Sequence, residues 1–435
     1  MSIEDVLSQT GGNRPPGPPR QTGGNRPPGP PRQTGGNHPP GPPRQTGAAP
    51  LFGVEEEFLV VDPVTRAVVP QAEAVLNRAK TSLGDRVSGE ITKLQVETRT
   101  LPCRSVEELL GQLIEAREML SSAAEAEGLR IVASGTPVLG DMVPPPITEG
   151  PRQDRGMATF RGLHDELAVC AVHVHVEVPD RDRAVLVSNH LRPYLPTLIA
   201  LTANSPYWAE RDTGYASWRT TIWGRWPVAG PPPYLTSGAH YDELVAVLQE
   251  AGGLVDEGTI FWDIRPSARY PTLEIRAADV PMTAEESALL AALVRALVGS
   301  ITPAVDRGDP GPVIAGELLR LAYWRAARDG LDGDGIDVYT GQLVPAAELA
   351  EGLLQAARPA LEEHGDLDLV TGWLRKLVGD GAGAARQRRA ATRQGGLADV
   401  VDHLIAQSAP HRPADPAPVS PEESWVLQGR ESAPR

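Results

Sequence analysis

Cysteine is scarce in this sequence, with only Cys103 and Cys170 among 435 residues. Two cysteines are too few for a disulfide framework, so the composition fits a reducing compartment. The first residues are polar and proline-rich and do not resemble a signal peptide. The longest apolar stretch, residues 195–203, is interrupted by Pro196 and Thr197 and is too short to span a bilayer. We therefore expect a cytoplasmic protein without membrane attachment.

Positive charge is also in short supply, and the formal net charge is −15. Residues 6–54 contain five arginines and no acidic residue, so the rest of the chain is more acidic still. An acidic surface repels phosphate backbones, which argues against nucleic-acid binding. No GxxxxGK[ST] motif occurs, so a nucleotide could not be bound in the manner of a P-loop. ATP can still bind to such a protein if metal cations screen its phosphates.

A repeat dominates the N-terminal region. The unit QTGGNRPPGPPR occupies residues 9–20 and 21–32, and it recurs at 33–44 with His38 in place of an arginine. Glycine and proline without apolar side chains bury nothing that could offset the entropy cost of folding. We predict a disordered tail over residues 1–49 and a second one over 409–435. One globular domain, which would carry any catalytic activity, is predicted at 50–408.

The domain is predicted to mix strands and helices. Alternation and turn residues predict the following strands: 52–61, 129–134, 169–178, and a hairpin of 260–265 with 272–277. Periodicity and capping boxes predict the following helices: 105–127, 181–203, 241–250, and a largely helical region from Thr283 to about residue 407. Strands separated by helices and long loops, and then a helical block, indicate an α+β fold.

Ionisable residues occur in pairs two positions apart on the predicted strands. Residues i and i+2 of a strand project from the same face. The sets are Glu55 with Glu57, Gln95 with Glu97, His173 with His175 and Glu177, Asp263 with Arg265, and Glu274 with Arg276, and Glu90 lies seven residues before Glu97. Any single pair is better explained as a solvated strand face. Together the sets predict a metal site.

The ligand types indicate which metal and which chemistry to expect. Carboxylate oxygens with an occasional histidine suit Mg²⁺ or Mn²⁺. Carboxylate-bound divalent ions can hold a triphosphate without a P-loop, while arginines stabilise the charge on a transferring phosphoryl group. A zinc hydrolase built on His173 and His175 remains an alternative, against which the number of glutamates counts.

Longer motifs in the same order resemble a known family. They are GVEEEF, the spacing of Glu90 and Glu97, VHVHV, TANSPYW at 202–208, SWRTTIWGRWP at 217–227, and WDIRPS followed by TLEIRAAD. Over about residues 51–405 the chain resembles the carboxylate–amine ligases of the type 2 glutamate–cysteine ligase group, which are related in fold to glutamine synthetase. The resemblance implies a mostly antiparallel curved sheet, a saddle or open barrel, that lines an active-site trough. Helices would back this sheet, and the C-terminal part would be largely helical.

The resemblance also implies an activity and site residues. ATP would phosphorylate the γ-carboxylate of glutamate, and the amine of cysteine would attack the acyl phosphate to give γ-glutamylcysteine. The positions that match metal ligands are Glu55, Glu57, Glu90, Glu97, His173 and Glu274. Arg276 matches an arginine near the transferring phosphate, Arg265 is placed with it in the nucleotide site, and Arg219 matches an arginine that holds the amino-acid substrate.

Several other features are expected to be structural. Parity places Glu56 and Cys170 on the strand faces opposite Glu57 and His173. We interpret Trp218, Trp223 and Trp226 as a packed loop over the trough, and the aspartates of the DGDGID segment at 332–337 as a surface turn.

Alternative functions stay open at this point. The acceptor could be another amine, because no residue is identified that would recognise a thiol. The chain could also be a non-catalytic relative that binds nucleotide or metal. A homo-oligomer is compatible with the sequence, which predicts no subunit number.

Overall fold

The computed structural model describes residues 49–140 and 143–409, except for the side chain of Gln394. The predicted tails lie outside the described residues, apart from Ala49 and Ala409. The strands are β1 (Phe52–Val61), β2 (Val87–Gly89), β3 (Gln95–Arg99), β4 (Arg130–Val132), β5 (Ala171–Glu177), β6 (Tyr207–Trp208), β7 (Arg211–Asp212), β8 (Ala229–Gly230), β9 (Phe261–Trp262), β10 (Ile264–Pro266), β11 (Thr272–Asp279), β12 (Asp334–Ile336) and β13 (Leu343–Pro345). The helices are α1 (Ala72–Leu83), α2 (Val106–Ala126), α3 (Pro151–Phe160), α4 (Arg181–Leu191), α5 (Leu195–Thr202), α6 (Trp218–Trp223), α7 (Gly238–Glu250), α8 (Ala284–Asp306), α9 (Gly316–Asp329), α10 (Ala346–His364), α11 (Leu367–Asp380), α12 (Gly383–Gln394) and α13 (Leu397–Ser408).

The main sheet has seven strands, and all of its pairings are antiparallel. Its strand order is β10-β11-β5-β1-β3-β2, with β4 also paired to β1. The sheet stays open, since β10 and β2 are its two ends among the described residues. Helices follow one another from α8 to α13, with only the short β12–β13 hairpin between them. The prediction of an α+β fold with an open antiparallel sheet and a largely helical C-terminal part is confirmed.

One face of the sheet is sealed by helices. Val54 of β1, Val174 of β5 and Ile275 of β11 are buried in one apolar cluster, together with residues of α4, α8 and α10. Burying each valine or isoleucine side chain contributes about 1.5–3 kcal/mol to folding stability. This burial determines which face of each strand packs against the helices. Because side chains alternate along a strand, the odd-numbered residues of β1 and β5 project from the opposite face. That face carries the ionisable residues.

The predicted capping boxes mark the starts of α2 and α8. The Ser105 hydroxyl accepts a hydrogen bond from the Glu108 N–H at 3.2 Å, and the Thr283 hydroxyl accepts one from the Glu286 N–H at 3.4 Å. The Glu108 carboxylate accepts from the N–H of Arg104 at 2.8 Å, one residue before the cap. These contacts satisfy amide donors that the first turn of a helix leaves free.

The predicted hairpin across residues 266–271 is correct only in part. Ile264 pairs with Ile275, as expected. Phe261 and Trp262 do not extend this pairing, because they form β9 and run parallel to β8. The helical region after Thr283 is likewise interrupted by the β12–β13 hairpin, and α1 was not predicted at all. The DGDGID segment is a turn only in part, because Asp334–Ile336 form β12, and the Asp337 carboxylate accepts from the N–H of Tyr339 at 2.9 Å in the turn that follows.

Helix α8 corrects the expectation about apolar stretches. Its length and composition would suffice to cross a membrane, which makes it a longer apolar segment than residues 195–203. Within the protein, 67% of its apolar window is buried, as in the core helix of a globular domain. It packs against α10, α4 and the sheet.

Candidate active site

The residues singled out in the sequence converge on one cavity of about 230 Å³, here called the central cavity. Its lining includes every residue given a role above: Glu55, Glu57, Glu90, Glu97, His173, Arg219, Arg265, Glu274 and Arg276. His175 and Gln95 line it as well. Asp263 is not part of the lining, since it is buried behind β10, where its carboxylate contacts Tyr323. The structure therefore brings the predicted site residues together, while their individual roles remain predictions.

The register of β1 explains this convergence. Glu55 lies opposite His173 of β5 on one side and opposite Arg99 of β3 on the other. Glu57 lies opposite Glu97. Directly opposed residues in antiparallel strands have β-carbons about 4.5–5.5 Å apart. Their side chains therefore meet on the face of the sheet that carries the ionisable residues.

Two overlapping groups could each hold a cation. The first comprises Glu55, His173 and Glu274, and the second comprises Glu57, Glu97 and His173, with ligand atoms within 4.8 Å of one another in each group. Nδ1 of His173 lies 3.3 Å from a Glu55 oxygen, and Nε2 lies 3.8 Å from a Glu57 oxygen. Carboxylate oxygens with one imidazole are a donor set that fits Mg²⁺ or Mn²⁺.

The carboxylates of Glu57, Glu90 and Glu97 lie close together in the central cavity. Burial, followed by the charge of Glu97, raises the pKa of Glu57 to about 7. Burial, followed by the charges of Glu57 and Glu97, raises the pKa of Glu90 well above its ordinary value. A divalent cation among these carboxylates would relieve their repulsion and favour their charged forms. The electrostatics of the cavity therefore support a metal site.

The pKa values of Glu55 and Glu274 are shifted in the opposite direction, below their ordinary values. Burial alone would raise the pKa of Glu274, but Arg276 and then Arg265 hold it below its ordinary value. Burial would also raise the pKa of Glu55, but hydrogen bonds with His173 and His175 hold it low. Both glutamates are therefore ionised at neutral pH and can serve as metal ligands.

His173 and His175 differ in their surroundings. Burial, and then Arg276, lowers the pKa of His173, which favours the neutral imidazole that a metal requires. Nδ1 of His175 hydrogen-bonds instead to the Thr272 hydroxyl at 2.9 Å. His175 belongs to neither of the two candidate ligand groups. This separation argues against a zinc hydrolase that would use both histidines.

Arg276 is aimed into the cavity by an irregularity in β11. The register between β11 and β5 shifts between Ile275 and Ala278, so Arg276 sits at a bulge across from His173. Bulges of this kind redirect side chains next to active sites. Nη1 of Arg276 contacts Glu274 and lies 3.5 Å from Nδ1 of His173, while its Nε–H has no acceptor among the described residues.

Arg219 and Arg265 also hold the backbone. Arg219 donates to the carbonyls of Ala277 at 3.3 Å and Arg276 at 3.2 Å. Arg265 donates to the Gly258 carbonyl at 3.0 Å and to Glu274 at 2.8 Å. Both arginines therefore position β11 in addition to lining the cavity.

Asp279 joins three of the sequence motifs at one buried point. Its carboxylate accepts from the Ser205 hydroxyl at 2.6 Å and from the Ser217 hydroxyl at 2.8 Å. It also accepts from the Asn204 N–H at 2.9 Å, and it lies 3.9 Å from the guanidinium of Arg219. The TANSPYW, SWRT and RAAD segments are thus held together behind Arg219, a role that the sequence did not reveal.

Three further residues of the cavity region were also missed. Arg152 of α3 and Tyr270 line the central cavity, and Arg99 bonds to Glu97. Parity could have found Arg99, which lies two residues beyond Glu97 on β3. No pattern in the sequence marks Arg152 or Tyr270.

Trp223, Trp226 and Cys170 are buried, as expected of structural residues, but Trp218 and Trp223 lie on helix α6 and not in a loop. Trp223 and Trp226 are buried in an aromatic cluster with Phe160 and Phe261. Cys170 is fully buried, with Nε2 of Gln95 3.4 Å from its sulfur. Trp223 also forms part of the wall of the central cavity.

Comparison with known proteins gives a consistent result. The model of glutamate-cysteine ligase family 2 (GCS2) matches residues 51–403. A candidate glutamate–cysteine ligase 2-1 of Saccharopolyspora erythraea is 44% identical over 384 residues, which cover 88% of this chain and 98% of the relative. A candidate glutamate–cysteine ligase 2-3 of Mycolicibacterium smegmatis is 45% identical over 360 residues, which cover 82% of this chain and 98% of the relative.

Solved structures share the fold at low sequence identity. Glutamate–cysteine ligase of Francisella tularensis in complex with AMP has a TM-score of 0.59 and 13% identity, covering 84% of this chain and 90% of that chain. A bifunctional glutathione synthetase of Pasteurella multocida has a TM-score of 0.61 and 16% identity, covering 83% of this chain and 53% of that chain.

Proposed function

Because this chain belongs to glutamate-cysteine ligase family 2, we propose that it is an ATP-dependent ligase that joins the γ-carboxylate of glutamate to the amine of cysteine. The observation that carries this proposal is the central cavity, where two carboxylate–imidazole groups lie beside Arg276. We also propose that the reaction takes place in the cytoplasm, which the two reduced cysteines support.

Either Glu55, His173 and Glu274 or Glu57, Glu97 and His173 would hold a Mg²⁺ or Mn²⁺ ion, because the neutral imidazole of His173 has one free ligand nitrogen. The carboxylates of the other group would be available to a second ion, and Glu90 lies beside Glu57 and Glu97. Bound divalent ions bridge phosphate oxygens and neutralise the charge that develops during phosphoryl transfer. Glu274 would be one of these ligands, and Arg265 and Arg276 hold its carboxylate in place.

The first chemical step is transfer of the γ-phosphoryl group. A γ-carboxylate oxygen of glutamate attacks the γ-phosphorus of ATP, the bond to the bridging oxygen breaks, and ADP leaves with the electron pair. Arg276 stabilises the charge on the transferring group, because its cation lies at the bulge that faces His173. Arg219, whose Nε–H has no acceptor among the described residues, holds a carboxylate of the amino-acid substrate.

The second step forms the amide. The amine nitrogen attacks the acyl carbon of γ-glutamyl phosphate, the carbon–oxygen bond to phosphate breaks, and the nitrogen gives up a proton to the departing phosphate. Water would hydrolyse the same intermediate, so the cavity must exclude it while the amine binds. The buried walls formed by Trp223, Phe261 and Leu167 serve this purpose.

The test is an assay of the full chain with ATP, Mg²⁺, glutamate and cysteine, following ADP and γ-glutamylcysteine together. We expect ADP release to require both amino acids. Arg276→Ala should lower kcat about 100-fold or more, as loss of a group that stabilises transition-state charge does. Arg358→Ala is the matched control, since Arg358 pairs with Glu362 on the surface of α10. Nucleotide binding without turnover with any amine would refute the proposal in favour of a non-catalytic relative.

A further inference from the structure

Arg152 lies at the rim of the central cavity and has no role in the reaction steps of the proposed ligase. Its side chain is 45% exposed, and it lines the cavity from the first turn of α3. Nε and Nη2 of Arg152 donate to the two carboxylate oxygens of Asp256 at 2.7 and 3.1 Å. A guanidinium has five N–H donors, so this ion pair leaves three of them for another anion.

Gly258 allows the guanidinium to lie where it does. A β-carbon on Gly258 would lie 2.9 Å from Nη2 of Arg152 and 3.0 Å from a carboxylate oxygen of Asp256. Gly258 also lines the central cavity, and its carbonyl accepts from Arg265 at 3.0 Å. The segment that holds Arg152 is therefore bonded to a second arginine of the same cavity.

Apolar side chains lie beside Arg152. Ile91 and Phe261 line the central cavity together with Arg152, and the same three residues line a small neighbouring cavity of about 30 Å³. The ring centroid of Phe261 is 4.7 Å from that of Trp223, which also lines the central cavity. Sulfur makes favourable contacts with aromatic rings, so a short thiol side chain fits against this wall.

The other arginines described above are engaged differently. Arg265 and Arg276 bond to Glu274, and the proposed function assigns Arg276 to the transferring phosphoryl group. The guanidinium of Arg219 lies 5.8 Å from the ring centroid of Trp223, and Arg219 is assigned to glutamate. The Trp223–Phe261 wall thus has Arg219 at one ring and Arg152 beside the other.

We propose that Arg152 binds the α-carboxylate of the acceptor cysteine and thereby directs its amine toward the acyl phosphate. The inference rests on the proposed ligase function, in which both amino-acid substrates carry an α-carboxylate. The carboxylates of the central cavity repel a further anion, and a cation at the rim offsets this repulsion. Because the amine and the carboxylate of an α-amino acid share one carbon, binding of the carboxylate also restricts where the amine can lie.

The first test compares cysteine and cysteamine as acceptors for the full chain with ATP, Mg²⁺ and glutamate. Cysteamine keeps the amine and the thiol of cysteine and lacks only the carboxylate. We expect the ratio of kcat/KM for cysteine to kcat/KM for cysteamine to fall about tenfold or more in Arg152→Ala. A tenfold change corresponds to about 1.4 kcal/mol, the size of a hydrogen bond to a charged group. Since both acceptors are measured on both proteins, effects that the variant has on the glutamate step cancel in this comparison.

Two further variants accompany this comparison. Gly258→Ala crowds Nη2 of Arg152 without removing its charge, and it should lower the same ratio. Arg155→Ala is the matched control, since Arg155 is an exposed arginine of the same helix and is not part of the central cavity lining. We expect the ratio in Arg155→Ala to equal that of the wild type.

The outcomes separate this inference from the function on which it rests. An unchanged ratio in Arg152→Ala, with or without a rise in the KM for ATP or glutamate, would refute the role of Arg152 and leave the ligase intact. Loss of the ratio in Arg269→Ala but not in Arg152→Ala would overturn it in favour of that exposed arginine, which lines the central cavity from the loop between β10 and β11. Absence of ADP formation by the wild type with glutamate and either acceptor would refute the ligase function itself.

Discussion

Glu56 and Glu57 are neighbours in the sequence but face opposite sides of β1. Glu56 is fully buried against α2, where Nε of Arg117 donates to its carboxylate at 3.0 Å. Glu57 faces the central cavity and accepts a hydrogen bond from the N–H of Ala171 at 2.8 Å. One glutamate is therefore an internal ion-pair partner, and the other is available to a ligand.

Glu57→Gln should abolish ligation and preserve the fold. The amide is isosteric with the protonated acid, which is well populated because the pKa of Glu57 is raised to about 7. It cannot supply a negative charge to a cation, so we expect kcat to fall about 100-fold or more. Steady-state assays at saturating Mg²⁺ would measure the loss, and thermal unfolding would show an unchanged or higher Tm. Activity close to that of the wild type would mean that Glu57 is not a metal ligand.

Glu56→Gln provides the comparison at the adjacent position. It leaves the buried guanidinium of Arg117 without its counter-ion, which generally costs about 3–5 kcal/mol of stability. We expect a lower free energy of unfolding in urea, with the KM for ATP unchanged in the protein that remains folded. If the two variants had the same effect, the assignment of the two faces of β1 would be wrong.

Glu90 should make the metal-free protein less stable as the pH rises. Its folded pKa lies well above the ordinary value of 4.5, so the folded protein retains a proton that the unfolded chain loses above about pH 4.5. Stability from this group is therefore present at low pH and lost as the pH approaches the folded pKa. Glu90→Gln removes this dependence, because the amide has no proton to lose.

The measurement is the difference in unfolding free energy between Glu90→Gln and the wild type in the presence of a chelator. We expect this difference to favour the variant and to grow as the pH rises above the ordinary value of 4.5. Mg²⁺ should reverse the order at the higher pH, since the wild type then gains a cation that the variant binds less tightly. A difference that stays constant with pH would show that Glu90 is not held among the other carboxylates.

At the scale of elements, Asp279 connects the start of α6 with the end of β11. Asn at this position would present an amide donor toward the hydroxyls of Ser205 and Ser217, which now donate to the carboxylate. We expect Arg219 to shift as a result, and a misplacement of 1 Å can cost about 100-fold in rate. The KM for glutamate should rise more than the KM for ATP in Asp279→Asn. Asp309→Asn is the surface control, with that aspartate side chain 54% exposed.

A uniform rise in both KM values would assign Asp279 a general structural role. A rise for glutamate alone would support the placement of the amino-acid substrate beside Arg219. Circular dichroism would verify that the variant is folded, because a buried carboxylate with three hydrogen bonds also contributes to stability.

The faces of the strands could be predicted because alternation is a local property. Glu55 with Glu57 and Glu274 with Arg276 lie on the face that the sequence predicts, since burial of Val54 and Ile275 on the other side fixes the orientation. The N-termini of α2 and α8 could also be predicted, because each depends on one hydroxyl and one amide that lie close together in the sequence.

Features that depend on distant pairings were not predicted. The bulge that aims Arg276 forms only when β11 meets β5, about a hundred residues earlier in the chain. No pattern in the sequence marks Asp279, because its role depends on Ser205 and Ser217, which only the folded chain brings to it. The mistaken extension of the hairpin has the same origin, because Phe261 alternates correctly but pairs with β8 instead.

At the scale of the whole molecule, the first described residues are already bonded to the rest of the domain. The chain is hydrogen-bonded to the rest of the domain from Pro50 onward. The Pro50 carbonyl accepts from Nε of Arg295 at 3.0 Å, and the Leu51 N–H donates to Glu177 at 3.1 Å. Among the described residues, those that line the central cavity fall between Glu55 and Arg276. We therefore expect the glycine and proline repeats to be dispensable for catalysis.

Deletion of residues 1–49 should leave kcat and the KM values for ATP and glutamate unchanged within about twofold, because the segment has no apolar residues in its repeats with which to bury surface. Activity assays and thermal unfolding of the truncated and full-length chains would measure this. A deletion of residues 1–54 is the informative contrast, since it also removes Phe52 and Val54 of β1, whose burial contributes about 1.5–3 kcal/mol each. The longer deletion should lose both activity and cooperative unfolding. A large loss with the shorter deletion would instead mean that the tail contacts the domain and supports the site.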